Sequence, residues 1–495
     1  MELKQRVGDF RVRELLRPDV LRPSGEFRVY RVIKRKLTSL EAAEALALEA
    51  GRAAGDVSMC GLKDRQGITT QFMALERGPE VRLAGTDLRV ESVGFAERAL
   101  DSKDSEGNAF EIVARGLERA DIGALRANLA PMRKHGLVNY FDDQRFGNLR
   151  HGQGWIALDL MRGELDKALR HLLAGRSLHD QPRVKTLKQA LLAHWGDWRE
   201  CRDIAGKLGA HHSVFEALKR EPENLAAAFA HVSSRVRLIH LYAYQSHLWN
   251  RAVADLVREH TTPEQRVVLD CEEGPLVYPD DRARLPAGEG AAFRLPGPAL
   301  EDVADPEQRA LLADALAHDR LAPAQFRIDG ISGFQIKGED RPLFVRPLHL
   351  RVRPPKPDPM HRGFSQVDVR FELPRGAYAT LVVRRLLELP GRASRAAPTW
   401  EASERSRPPL EPWRFEGRGR RAPERRRDDR RRDEAPRDGG PREERPWQQR
   451  DERPRGSRRP DRGRFERRDG PRRPSRPGPY GDRRGGDRRK KGRHD

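Results

Sequence analysis

Asp64 is the only acid in CGLKDRQGITTQ, Cys60 to Gln71, and it stands between Lys63 and Arg65. A carboxylate flanked by cations has its charged form favoured, and an ionised carboxylate can attack an electrophilic carbon or remove a proton. The same cations could hold a phosphate-bearing substrate. An exposed Lys-Asp-Arg turn has the same composition, and charge pattern alone does not separate the two readings. A second stretch, NYFDDQRFG from Asn139 to Gly147, sets aromatic rings beside an Asn, a Gln and an Arg. Rings stack on a nucleobase, while amides and a guanidinium bind its edge and nearby phosphates. Taken singly, Phe141 and Phe146 are more often core residues than base stackers.

Other candidates carry less chemistry. Asp142 and Asp143 are adjacent, so on a strand they point to opposite faces and cannot flank one bond; they read as surface charges. His211-His212 lacks a ligand at helical spacing, and Cys60, Cys201 and Cys271 show no CxxC pairing, which argues against a zinc site or a disulfide framework. There is no Walker-A loop and no GxGxxG. The expectation is an activity with neither metal nor cofactor.

The elements that must position these residues follow from periodicity. Phe10 and Val12 alternate with Arg11 and Arg13, and FRVYRVIKRK (Phe27 to Lys36) is β-branched and aromatic enough for a second strand. Thr38 with Glu41 is a capping box opening a helix that presents Leu40, Ala43, Ala47 and Ala50 on one face. The Asp64 stretch then enters a strand, ITTQFMAL. GNAFEIVARG predicts a half-buried strand with Phe110, Ile112 and Ala114 inward and Glu111, Val113 and Arg115 outward. Residues 117–135 predict a helix stopped by Gly136. From about Trp155 to Glu259 the pattern is helical, and residues 261–340 are irregular with short strand-like pieces. VDVRFELP returns to alternation, and Tyr378 to Leu389 closes as a helix. Strands before and after a helical stretch predict an α+β fold whose sheet domain is interrupted by an insertion.

In order and spacing, GLKDRQGITTQ, GNAF (Gly107 to Phe110) and NYFDDQRFG resemble the signature of the TruD family of pseudouridine synthases. GDFRVREL is similar to that family's xDFxVxE strand, AYQSHLWNRAV (Ala243 to Val253) to a helix of its inserted domain, LPG (Leu295 to Gly297) to a loop there, and LPRGAYATLVVRRLL to its closing strand and helix. One departure is Val7-Gly8, where the family often carries Pro-Glu. The resemblance covers nearly everything before residue 392. It implies a mixed, largely antiparallel sheet domain from residues 1–152 and 341–392, with a helix-rich insertion over 153–340. It also implies isomerisation of a uridine in tRNA, for bacterial members uridine 13 of the D-stem, typically in tRNA(Glu). Asp64 would be the catalytic aspartate, Lys63 the basic neighbour shaping its site, Asn139 a positioning residue and Phe141 the ring that stacks on uracil. Phe10, Gln71 and Arg145 would support them.

Composition bounds the rest. Residues 393–495 hold about 35 Lys and Arg against about 20 Asp and Glu, so they carry about +15 of the formal +21. Runs such as RRRDDRRRDE cannot bury enough apolar surface to offset chain entropy, and a disordered tail is expected. Arg/Gly segments with interspersed aromatics contact RNA by charge and stacking; a mixed-charge solubilising tail is the plainer reading. A degenerate RNA-binding protein or RNA chaperone acting through this tail is the alternative to an enzyme. No apolar stretch approaches a membrane span, and the N-terminus is charged from its second residue, so a cytoplasmic protein is expected; a monomer is expected separately, without a sequence feature that carries it.

Overall fold

The computed structural model describes residues 1–391 except 148–153, 176–179, 289, 329 and 332–335. The Arg-rich tail expected over 393–495 lies outside the described residues.

Alternating strands assemble into a ten-stranded sheet, and the fold is α+β. From one edge the main path runs Leu348–Val352, Ser365–Pro374, Ser105–Leu117, Phe10–Leu16, Ile68–Glu76, Phe27–Arg35, Leu88–Ala96 and Arg82–Ala84. Every pairing among the described strands is antiparallel except one: Phe10–Leu16 runs parallel to Ile68–Glu76, with Arg11 opposite Ile68. Strands from the far end of the chain, Leu348–Val352 and Ser365–Pro374, join the sheet beside Ser105–Leu117. Phe371 lies opposite Phe110, and Phe110 opposite Val12, so inward residues of three strands pack as one aromatic layer, with Phe110 5.6 Å from Phe371 and 6.2 Å from Phe10.

Farther along the same face, which Val12 shares with Thr69 and Met73 with Tyr30, the helix Ser39–Glu49 packs over Tyr30, Val32, Met73 and Val90. Thr38 and Glu41 form the expected capping box: Thr38 Oγ1 accepts from Glu41 N at 3.1 Å and Glu41 Oε2 from Thr38 N at 2.6 Å. The buried stripe is Ala42, Ala43, Ala45, Leu46 and Ala47, and Leu40 is exposed. Small residues let the helix lie close on the sheet, which turns Leu40 outward.

Helices alone occupy the described chain from Ile156 to Glu259, ending in the 26-residue helix Ser234–Glu259. The stretch read as irregular contains one more helix, Pro306–His318, started by Asp305, whose carboxylate accepts from Glu307 N and Gln308 N. Arg115 is a second correction: it is not outward in water but buried, paired with Asp9 at 2.6 Å and Asp358 at 3.1 Å. No helix among the described residues is long and apolar enough to cross a membrane.

Candidate active site

Parallel pairing brings the starts of two strands to the same end of the sheet, and with them the segments that precede those starts. Ahead of Phe10 stands Lys4, and ahead of Ile68 stands Asp64; Lys4 Nζ lies 3.4 Å from Asp64 Oδ2. Lys4 is at φ 60°, a left-handed conformation costing about 1–2 kcal/mol for a residue with a Cβ. Its ammonium sits 4.2 Å from the centre of the Phe10 ring. Phe10, buried in the core, therefore reaches the site by supporting Lys4.

The two cations that flank Asp64 in sequence turn away from its carboxylate, because successive side chains of an extended loop diverge. Lys63 Nζ pairs with the buried Glu14 at 2.7 Å, and Arg65 Nε donates to Lys36 O at 3.2 Å. Glu14 also accepts from Phe72 N at 2.9 Å, where the short parallel ladder ends. Gly67 adopts φ +120°, and a Cβ there would lie 2.4 Å from Phe10 O, so only glycine lets the loop pass the neighbouring strand. Gln71 is fully buried beneath the helix start. Its Oε1 accepts from Ser39 Oγ at 2.7 Å while Ser39 Oγ accepts from Lys63 N at 2.8 Å, so it acts on the loop from below.

The Asn139–Gly147 stretch faces this loop as a turn and a short 3-10 helix, Asp143–Phe146. Asn250 on the long helix clamps Phe141, accepting from its N–H at 2.9 Å and donating to its carbonyl at 2.8 Å. Asn139 is buried and receives Arg341 at both its carbonyl and its side-chain oxygen, 2.9 and 3.1 Å away. The Arg341 guanidinium lies 3.8 Å from the Phe141 ring centre, and the edges of Trp249 and Tyr378 also meet that ring. Burial pushes the Arg341 guanidinium down to about 10 and the Tyr378 hydroxyl up to about 12. Arg145 donates to Ser246 Oγ at 3.1 Å and lies 5.8 Å from both Phe141 and Tyr242. Gln144 joins the two walls: its Nε2 donates to Asp64 Oδ1 at 2.5 Å.

Asp142 and Asp143 are not surface charges. Asp142 is buried and accepts from Thr380, Asp143 accepts from Glu272 N at 2.9 Å, and Arg384 lies 3.9 Å from each. With Cys271 they bring three ligand-type atoms within 4.8 Å of one another, but the Arg384 guanidinium already supplies the compensating charge.

The structure thus gathers Asp64, Lys63, Gln71 and Phe10 around one loop, and Asn139, Phe141 and Arg145 on the facing wall. Lys4, Lys34, Ser39, Asn250 and Arg341 were not singled out from sequence. Lys34 had a readable signal, since it shares the inward parity of Tyr30 and Val32.

A carboxylate held between a lysine and an amide, opposite an aromatic and guanidinium wall on an α+β scaffold, suits an enzyme that handles a planar base. The model of tRNA pseudouridine synthase D (TruD) matches residues 1–386, and the chain belongs to that family. It is a pseudouridine synthase, an isomerase. Among its relatives is a Methanococcus maripaludis protein named "Probable tRNA pseudouridine synthase D 1", 27% identical over 79% of this chain and 100% of its own length. The tRNA pseudouridine synthase D of Aquifex aeolicus is 26% identical over 78% of this chain and 98% of its own. The fold matches the crystal structure of a provisionally assigned tRNA pseudouridine synthase D from Methanosarcina mazei, at a TM-score of 0.59 and 20% identity, over 78% of this chain and 93% of that one.

Proposed function

We propose that the chain converts uridine 13 in the D-stem of tRNA(Glu) to pseudouridine, with Asp64 as the catalyst. The observation that carries this reading is the Asp64 carboxylate itself, held on Oδ2 by Lys4 and on Oδ1 by Gln144 at the meeting of the two walls. An ionised carboxylate begins the reaction either by attacking C1′ or by removing the C2′ proton. The N1–C1′ bond breaks, the uracil turns, C5 bonds to C1′, and C5 loses a proton while N1 gains one, so composition is unchanged. Flipping the nucleotide out costs on the order of a few kcal/mol, which stacking on Phe141 partly offsets. Arg145 meets the ring from that wall, Asn139 positions the wall by holding Arg341 against Phe141, and Lys63, Phe10 and Gln71 keep the Asp64 loop in place.

In this reading, residues 1–152 and 341–392 form the catalytic domain, and the insertion over 153–340 supplies the second wall of an RNA-binding cleft. The enzyme works as a monomer on cytoplasmic tRNA, with the basic tail adding phosphate contacts. Pseudouridine mapping on tRNA treated with wild type and with Asp64→Asn tests it. Product at position 13 from wild type alone, with both proteins binding tRNA equally, is the expected result. Normal turnover by Asp64→Asn would sink the catalyst, and tight binding without product on any tRNA would favour an RNA chaperone.

A further inference from the structure

Lys34 lies on the strand Phe27–Arg35 with Tyr30 and Val32, pointing under the helix Ser39–Glu49, and it is 1% exposed. A lysine at an inward position of an apolar strand face needs partners for three N–H donors. All of its partners are backbone carbonyls: Leu37 O at 2.8 Å, Asp64 O at 2.6 Å and Lys63 O at 3.3 Å. It does not touch the Asp64 carboxylate.

We infer that Lys34 is a positioning residue for catalysis: its ammonium gathers the carbonyls of Lys63 and Asp64 onto the turn ahead of the helix, and so aims the Asp64 carboxylate. The inference rests on Asp64 being the catalyst. Two further bonds stitch the same two segments, Lys63 N to Ser39 Oγ and Arg65 Nε to Lys36 O, but Lys34 is the buried cation between them. Fixing the peptide planes on both sides of the Asp64 Cα fixes the direction of its Cβ. Lys4 and Gln144 then have only the side-chain rotors left to hold. The charged groups around Lys34 are Asp64 and Glu41, which favour its ammonium, and Lys63, which disfavours it and is itself paired with Glu14. Burial outweighs them and pushes Lys34 down to about 8. A neutral amine has two N–H groups for three carbonyls, so the loop loosens as the proton leaves.

The test compares wild type, Lys34→Met, Lys34→Arg and Asp64→Asn in single-turnover pseudouridine formation, with tRNA binding and thermal unfolding measured alongside. Misaiming a reacting group by about 1 Å costs about 10²-fold. Lys34→Met is therefore expected to lose about 10²-fold in the rate of folded enzyme while binding tRNA as wild type does. An unchanged rate in folded Lys34→Met, with Asp64→Asn inactive, overturns the role of Lys34 alone; turnover by Asp64→Asn overturns the catalyst instead. If Lys34→Met does not fold, the pH profiles decide. A wild-type rate that falls as pH rises through about 8, with no such limb in Lys34→Arg, supports the inference. The same limb in both proteins, or none in wild type, overturns it.

Discussion

Among the described residues, Asp143 is one of two carboxylates that burial pushes upward and whose protonation therefore weighs on stability, the other being Glu273, pushed up to about 7. Burial, with Asp142 beside it, pushes the Asp143 carboxyl up to about 6. Between the unfolded value near 3.8 and about 6 the folded protein holds a proton that the unfolded chain releases, so stability falls as pH rises through that window. Above it the full cost of the buried charge is present. Asp143→Asn removes that charge and keeps an oxygen for Glu272 N. Urea unfolding should find this variant more stable than wild type by about 2–3 kcal/mol at pH 7, with the gain shrinking toward zero near pH 4. The sequence offered no sign of this burial, because the packing of Arg384 and Thr380 comes from residues more than two hundred positions away.

At the scale of elements, Arg115, near the end of the strand Ser105–Leu117, ties the sheet to its flanking segments. Its guanidinium joins Asp9, just ahead of the Phe10 strand, to Asp358, and Gln366 on the strand Ser365–Pro374 also accepts from it. Three segments distant in sequence converge on one buried cation. Arg115→Met would leave two buried carboxylates without their partner and should lower unfolding free energy by about 3–5 kcal/mol in denaturant titration. The exposed pair Arg370–Glu111, whose Glu111 lies on the same strand as Arg115, should cost at most about 1 kcal/mol when Arg370 is replaced by Ala. Alternation predicts the strand that carries Arg115 and the side of its apolar residues. It predicts the wrong surroundings for Arg115 itself, since period two reports a face and not what covers that face.

For the whole molecule, charge is divided unevenly between the family-matching body and the Arg-rich tail that holds about +15 of the formal +21. Each phosphate neutralised releases counterions, so affinity carried by such a segment falls steeply with salt. Deleting residues 393–495 should weaken tRNA binding at low salt, flatten the dependence of log Kd on log salt, and leave turnover at saturating tRNA intact. Identical low-salt binding by the truncated protein would assign the tail to solubility.

The sequence by itself determined the strands and helices with clean periodicity, the Thr38 capping box, the α+β class and the loop that carries Asp64. These are local properties, written in alternation, capping residues and glycines. The ordered motifs likewise carried the family. Only the tertiary structure decided that Lys4, not Lys63 or Arg65, meets the Asp64 carboxylate, since that contact depends on two strands running parallel. The burial of Gln71 and the Asp142–Asp143 pair was decided in the same way, by elements far apart in the chain closing over them. A polar residue in sequence has the same chemistry wherever it lands; its partners and its dielectric surroundings exist only once the sheet has formed.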